Sequence, residues 1–192
     1  MPPNADAPYA RAWLGARFVV RPLGRVLLRP EVSGRSHVPP TAGAVLAFNP
    51  VGYSDALLVT QVLARPTRFM VAAGVLRVPL VGLLLRASGA FAVRRGESDR
   101  ESVRIAIEAA AAGSLVGIFP EGGLRHGGPL GELHRGAALI ALRAGVPLVP
   151  VAIGRRPAFV RVGEPLAPEG DARSLTARLA ESLTALLAVS PP

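Results

Sequence analysis

The chain of 192 residues is long enough to bury a sizeable core without covalent staples, and its lack of cysteine excludes disulfides and thiolate metal sites. Its formal net charge of +9 comes from 22 basic residues, all of them arginine, and points to an anionic partner. Aromatic residues are only 5% and no recognition helix or stacking motif is present, which argues against nucleic acid; a mean hydropathy of +0.38, with arginines interleaved among apolar residues, fits an anionic membrane surface better.

The first segment, "RAWLGARFVVRPLGRVLLRP" at residues 11–30, reads as a basic amphipathic helix, continuous or broken at Pro22. Arg17, Arg21, Arg25 and Arg29 recur every four residues on one stripe among apolar neighbours, a pattern suited to a headgroup layer or to packing with a solvated edge. No apolar run reaches the roughly 18 residues needed to span a bilayer. The N-terminus lacks the basic, apolar and cleavable order of a signal peptide, so no export is expected, and the expected location is peripheral, on the cytoplasmic face of the membrane.

Beyond that segment, residues 31–189 read as one domain, with strands expected at residues 44–48, 68–72, 90–94, 114–119, 147–153 and 158–162. Helical patterns fall between and after them at 55–64, 75–87, 98–112, 136–144 and 171–189. Ser98 to Glu101 has capping-box spacing, and Gly113 is placed to end the same helix. The alternation implies an α/β fold with a mostly parallel sheet flanked by helices.

In such a sheet the loops leaving the C-terminal strand ends share one rim. Three of them carry chemistry: residues 49–55, which end at Asp55; the Arg94-Arg95 turn; and "FPEGGLRHGG" at 119–128. Guanidinium groups make paired, charge-assisted hydrogen bonds to phosphate. Glu121 opens a turn in which Gly122 and Gly123 would let backbone amides approach an oxyanion or phosphate.

Four blocks of this chain resemble the glycerolipid acyltransferases of the lysophosphatidate acyltransferase type: "FNPVGYSD", "GAFAVRRG", "GIFPEGGLR" and "GVPLVPVAIG", with "HRGAALIALRAG" between the last two. In order and spacing they match the family's Asn-His-four-residues-Asp, Gly-apolar-Arg, Phe-Pro-Glu-Gly-Thr-Arg and Val-Pro-Ile-Val-Pro-Val blocks. The resemblance implies the fold of that family and transfer of an acyl group from acyl-CoA or acyl-carrier protein to a lysophospholipid hydroxyl. It implies no metal and no cofactor beyond the acyl donor.

Carried over by position, Asp55 is the aspartate that orients the family's catalytic histidine, but Pro50 stands in that histidine's place. Arg95, with Arg94 beside it, takes the position of the phosphate-binding arginine. Arg125 stands one place later than the family's arginine after the Glu-Gly turn. His37 precedes the first core strand and reads as a bystander, while His134 reads as a surface residue of a helix's first turn. His126, in the glycine-rich turn, is the candidate replacement base. The alternatives left open are transfer with another base, His126 or the substrate's own phosphate, and a disabled lipid-binding or regulatory pseudoenzyme.

Overall fold

The computed structural model describes residues 29–49, 65–79, 81–87, 89–93, 100–122, 130–155 and 158–189, together with residues 15, 18, 21–22, 25–26, 58–59 and 63. A seven-stranded sheet runs through it: β1 (Glu31–Ser33), β2 (Ala44–Phe48), β3 (Thr67–Ala72), β4 (Phe91–Val93), β5 (Leu115–Ile118), β6 (Leu148–Arg155) and β7 (Ala158–Val162), in the order β1-β7-β6-β2-β5-β3-β4. The described helices are α1 (Val81–Ala87), α2 (Arg100–Ala111), α3 (Gly136–Ala144) and α4 (Ala172–Ala188).

Strands β6, β2, β5, β3 and β4 are parallel, so their C-terminal ends lie on one edge. Strand β7 returns antiparallel beside β6, and β1 runs parallel to β7. Because Glu31 pairs with Phe159, and Phe159 with Gly154, the start of β1 is level with the C-terminal end of β6.

Alternation along the strands divides the core in two. Leu46, Phe48, Phe69, Val71, Val149 and Val151 face a layer containing Leu58, Val59, Leu63 and Leu85. Val45, Ala47, Val116, Ile118 and Leu148 face α2, α3 and α4, which contribute alanines and the fully buried Leu175, Leu179 and Leu183. Burying each such leucine stabilises the fold by about 2 kcal/mol, and the spacing of four places all three on one stripe of α4.

Local chemistry bounds two of the helices, at Gly113 as expected and at Asp171. Asp171 caps α4, its carboxylate accepting the Ser174 N–H at 2.7 Å while the Ser174 hydroxyl accepts the Asp171 N–H. Gly113 follows α2 with φ of 89°, a conformation suited to glycine. The capping box at residues 98–101 begins outside the described residues.

One expectation fails, and one strand lies outside the expected set. Residues 75–87 do not form one helix: a 3-10 turn, Val75–Arg77, precedes α1, because the residue before Pro79 is driven out of the helical region and Val78 sits in the extended region with ψ of 122°. The three-residue strand β1 has no counterpart in the sequence pattern, since alternation cannot be read over so few residues. In the N-terminal segment the described Gly15, Phe18, Arg21, Pro22, Arg25 and Val26 are helical, and Arg29, at φ of 41°, turns the chain left-handed before Pro30 leads into β1.

The edge carrying β1 is secured by a buried cation. Arg161 is 3% exposed; its guanidinium donates to the carbonyls of Leu186 at 3.1 Å and Val189 at 2.5 Å, lies 4.2 Å from the Phe159 ring centroid and faces Glu31 at 3.4 Å. It thereby satisfies carbonyls at the C-terminal end of α4, where a positive charge also opposes the helix dipole. Arg161→Met is expected to lower the unfolding free energy by about 2 kcal/mol, because it strands those carbonyls. Glu31→Gln should change it far less, since that carboxylate is 40% exposed. Urea unfolding curves of the two variants check the contrast.

Candidate active site

The connection after β2 leads to Leu58, Val59 and Leu63 on one face of the sheet, whereas the connection after β5 leads to α3 on the other. Adjacent strands whose loops depart to opposite faces open a crevice at their C-terminal ends, the position where parallel α/β sheets bind ligands. Here the crevice lies between the ends of β2 and β5. The register pairs Ala47 with Ile118, which brings Asn49 and Pro120 level with one another on neighbouring strands.

Asn49 ends β2 and is buried, with its side chain acting as an extra rung of the sheet. Its Nδ2 donates to the Ile153 carbonyl at 2.9 Å, and its Oδ1 accepts the Ile153 N–H at 2.7 Å. An amide is the side chain that can make this reciprocal pair, since it holds a donor and an acceptor at the spacing of a peptide group. The last residue before the crevice is therefore fixed to β6 as rigidly as a strand residue. The sequence reading did not place Asn49 among the site residues. The signal was present, because a polar residue ending five apolar ones must find partners once it is buried.

Below Asn49, the rings of Phe48, Phe69 and Phe119 form an apolar floor, with centroids 5.6 to 6.3 Å apart. Phe69 lies across Gly117, where an added Cβ would stand 2.5 Å from the ring, so this floor requires glycine in the middle of β5.

Glu121 and Gly122 form the opposite wall. The Gly122 N–H donates to the Phe119 carbonyl at 3.1 Å, and Gly122 adopts φ of 70°, which glycine tolerates without cost. The Glu121 carboxylate accepts the Gly131 N–H at 3.0 Å and so ties residue 121 to residue 131. A carboxylate engaged in this way holds the shape of the turn. His134 is anchored alongside: its N–H donates to the Pro120 carbonyl at 2.8 Å, and its ring lies against Gly122, with Cδ2 and Nε2 both 3.0 Å from where a Cβ would stand. His37 sits at the other edge of the sheet, in the 3-10 turn after β1, with Nδ1 3.0 Å from the Val162 carbonyl.

Of the residues singled out in the sequence, Glu121 and Gly122 are thus placed at the crevice. Pro50, Asp55, Arg94, Arg95, Gly123, Arg125 and His126 lie outside the described residues, although β2, β4 and β5, which lead to their segments, end on the same edge. Among the described residues, no group of three or more His, Asp or Glu side chains is placed to hold a metal ion, and no helix is long and apolar enough to cross a membrane.

Known proteins resemble the chain in sequence and in fold. It is 27% identical over 124 residues to a 1-acyl-sn-glycerol-3-phosphate acyltransferase of Borreliella burgdorferi, a match covering 64% of this chain and 50% of that protein. It is 31% identical over 156 residues to a lyso-ornithine lipid O-acyltransferase of Pseudomonas aeruginosa, covering 80% of this chain and 58% of the relative. The chain thus spans little more than half the length of these two curated relatives. The crystal structure of the 1-acyl-sn-glycerophosphate acyltransferase PlsC from Thermotoga maritima superposes with a TM-score of 0.73 at 18% identity, over 94% of this chain and 81% of that one, a likeness of fold. With the family model described as Acyltransferase matching residues 29–154, from the entry into β1 to the end of β6, the chain belongs to the acyltransferase family.

Proposed function

We propose that this protein works at an anionic membrane surface, taking an acyl group from acyl-CoA or acyl-carrier protein and passing it to the glycerol-phosphate hydroxyl of a lysophospholipid. The observation that carries this is the crevice between β2 and β5, whose floor is apolar and whose β2 end is locked by the Asn49–Ile153 pair. An acyl chain suits the phenylalanine floor. A thioester carbonyl developing negative charge suits the glycine turn that follows Glu121. In this reading Arg94 and Arg95, with Arg125, hold the acceptor's phosphate, and Asp55 stands ready to orient a base. The printed names of the relatives, which act on 1-acyl-sn-glycerol-3-phosphate and on lyso-ornithine lipid, support a lyso-lipid acceptor.

Charge supports the membrane surface. Partial burial first, then the nearby guanidinium groups of Arg21 and Arg25, lower the pKa of the Arg35 guanidinium from its usual value, a sign of like charges gathered where an anion would relieve them. Phe18 and Val26 on the same helical segment are 79% and 71% exposed, apolar surface that a headgroup layer would cover.

Flotation with phosphatidylglycerol vesicles tests the surface. The full chain is expected to float and to be released as salt rises, and removal of Met1 to Pro30 should weaken binding, each arginine at the surface contributing about 1 kcal/mol. Unchanged flotation of a folded truncated chain would assign the segment to packing. The second reading, a disabled lipid-binding or regulatory relative, draws on Pro50 in the histidine's place. Lysophosphatidate binding without turnover from either acyl donor would favour it.

A further inference from the structure

With Pro50 at the position of the histidine, the acyl transfer proposed above lacks a base, and the chain has three other imidazoles with which to supply one. His37 is removed by topology: β1 runs opposite to β2, so the turn that follows it lies at the far edge of the sheet, and its Nδ1 is engaged with the Val162 carbonyl. His126 is outside the described residues. His134 is at the crevice. Its backbone is bound to Pro120, the residue level with Asn49 on the neighbouring strand, and its ring rests on Gly122, whose missing side chain leaves the room for it. The side chain is exposed, and among the described residues its ring nitrogens make no hydrogen bond.

We infer that His134 is the general base of this protein: an imidazole held on the Glu121-Gly122 turn that serves the crevice from the β5 side, in place of one on the β2 side. The inference rests on the acyltransferase reading. In the reaction, a ring nitrogen of His134 takes the proton of the acceptor hydroxyl as its oxygen attacks the thioester carbonyl carbon. The tetrahedral intermediate then collapses, the carbon–sulfur bond breaks, and the departing thiolate recovers the proton from the imidazolium. Atoms and charge balance with no further reactant. Gly122 is the positioning residue, because any side chain there would displace the ring as well as strain the backbone at φ of 70°.

The test uses the full chain on phosphatidylglycerol vesicles carrying lysophosphatidate, with palmitoyl-CoA and palmitoyl-acyl-carrier protein as donors. His134→Gln is expected to lower kcat by about 10²- to 10⁴-fold with little change in KM for lysophosphatidate, and to abolish the rising limb of the wild-type pH–rate profile. Added imidazole should restore part of the turnover of His134→Ala, a response that a merely structural role would not give. Wild-type kcat and pH profile in His134→Gln would overturn the inference, as would loss of activity in His126→Ala alone. A wild-type chain that binds lysophosphatidate but turns over neither donor would overturn the base and leave the lipid-binding reading standing. A chain that binds none would overturn that reading as well.

Discussion

In a His134→Gln background, Pro50→His is expected to increase acyl transfer to lysophosphatidate by about 10²-fold, the lower end of what a well-placed general base contributes. Asp55 stands five residues later, the spacing at which the family's aspartate orients its imidazole, so the substitution supplies the missing half of a pair. Asn49 makes the outcome favourable, because its two hydrogen bonds to Ile153 fix the backbone immediately before position 50 whatever side chain follows. Proline holds φ near −65°, and a loop adapted to that angle will limit the gain. The gain should vanish in Pro50→His/Asp55→Asn. Equal rates in the single and double variants would show that residue 55 orients nothing and that the added ring acts unaided.

Asn49→Leu is expected to cost about 3 kcal/mol or more, and to abolish turnover in whatever remains folded. The Ile153 N–H and carbonyl lose their partners in a part of the sheet where Ile153 is only 1% exposed, and each stranded group costs about 1 to 3 kcal/mol. Asn49→Asp separates charge from shape. One carboxylate oxygen still accepts from the Ile153 N–H while the other faces the Ile153 carbonyl, so burial and that carbonyl raise the folded-state pKa above the ordinary 3.9 or so. The protonated form can donate to the carbonyl, hence the deficit relative to wild type is smallest at acidic pH and grows as pH rises through the raised value. Thermal melts of both variants at pH 5 and pH 8 check the sign; a pH-independent deficit would mean that the carboxylate escapes to solvent.

Where an element is bounded by its own local chemistry, the sequence alone located it. Strand β2 stops at Asn49-Pro50, α3 stops at Gly145 with φ of 65°, and Asp171 begins α4, all at or within a residue of the expected positions. Pro79 shows the limit of periodicity: the apolar pattern from Val75 to Ala87 continues through it, and the backbone does not. At the site, the four motif blocks located the crevice, since they fall at the ends of parallel strands. They did not disclose what holds it together. Asn49 and Ile153 are separated by 104 residues, and only the pairing of β2 with β6 makes them neighbours. The position of His134 is equally non-local, because its ring is located by the Pro120 carbonyl and by the absence of a side chain at Gly122. Spacing along the chain carries neither relation.

The reversed direction of β1 bears on how a lipid would reach the crevice. Since Glu31 is level with Gly154, the chain passes from its arginine-bearing N-terminal segment into the sheet at the same edge on which Asn49 is clamped to Ile153. From there the segment runs back along β1, since Arg21 and Arg25 lie beside Arg35 in the turn after that strand, so on the proposed reading the basic flank of the sheet meets the membrane and the crevice edge adjoins it. An acceptor diffusing laterally in the bilayer meets the crevice by a search in two dimensions, without its tail ever being drawn through water. The concentration that governs encounter becomes the mole fraction of lyso-lipid in the surface, and the bulk amount matters only through the area of membrane it creates.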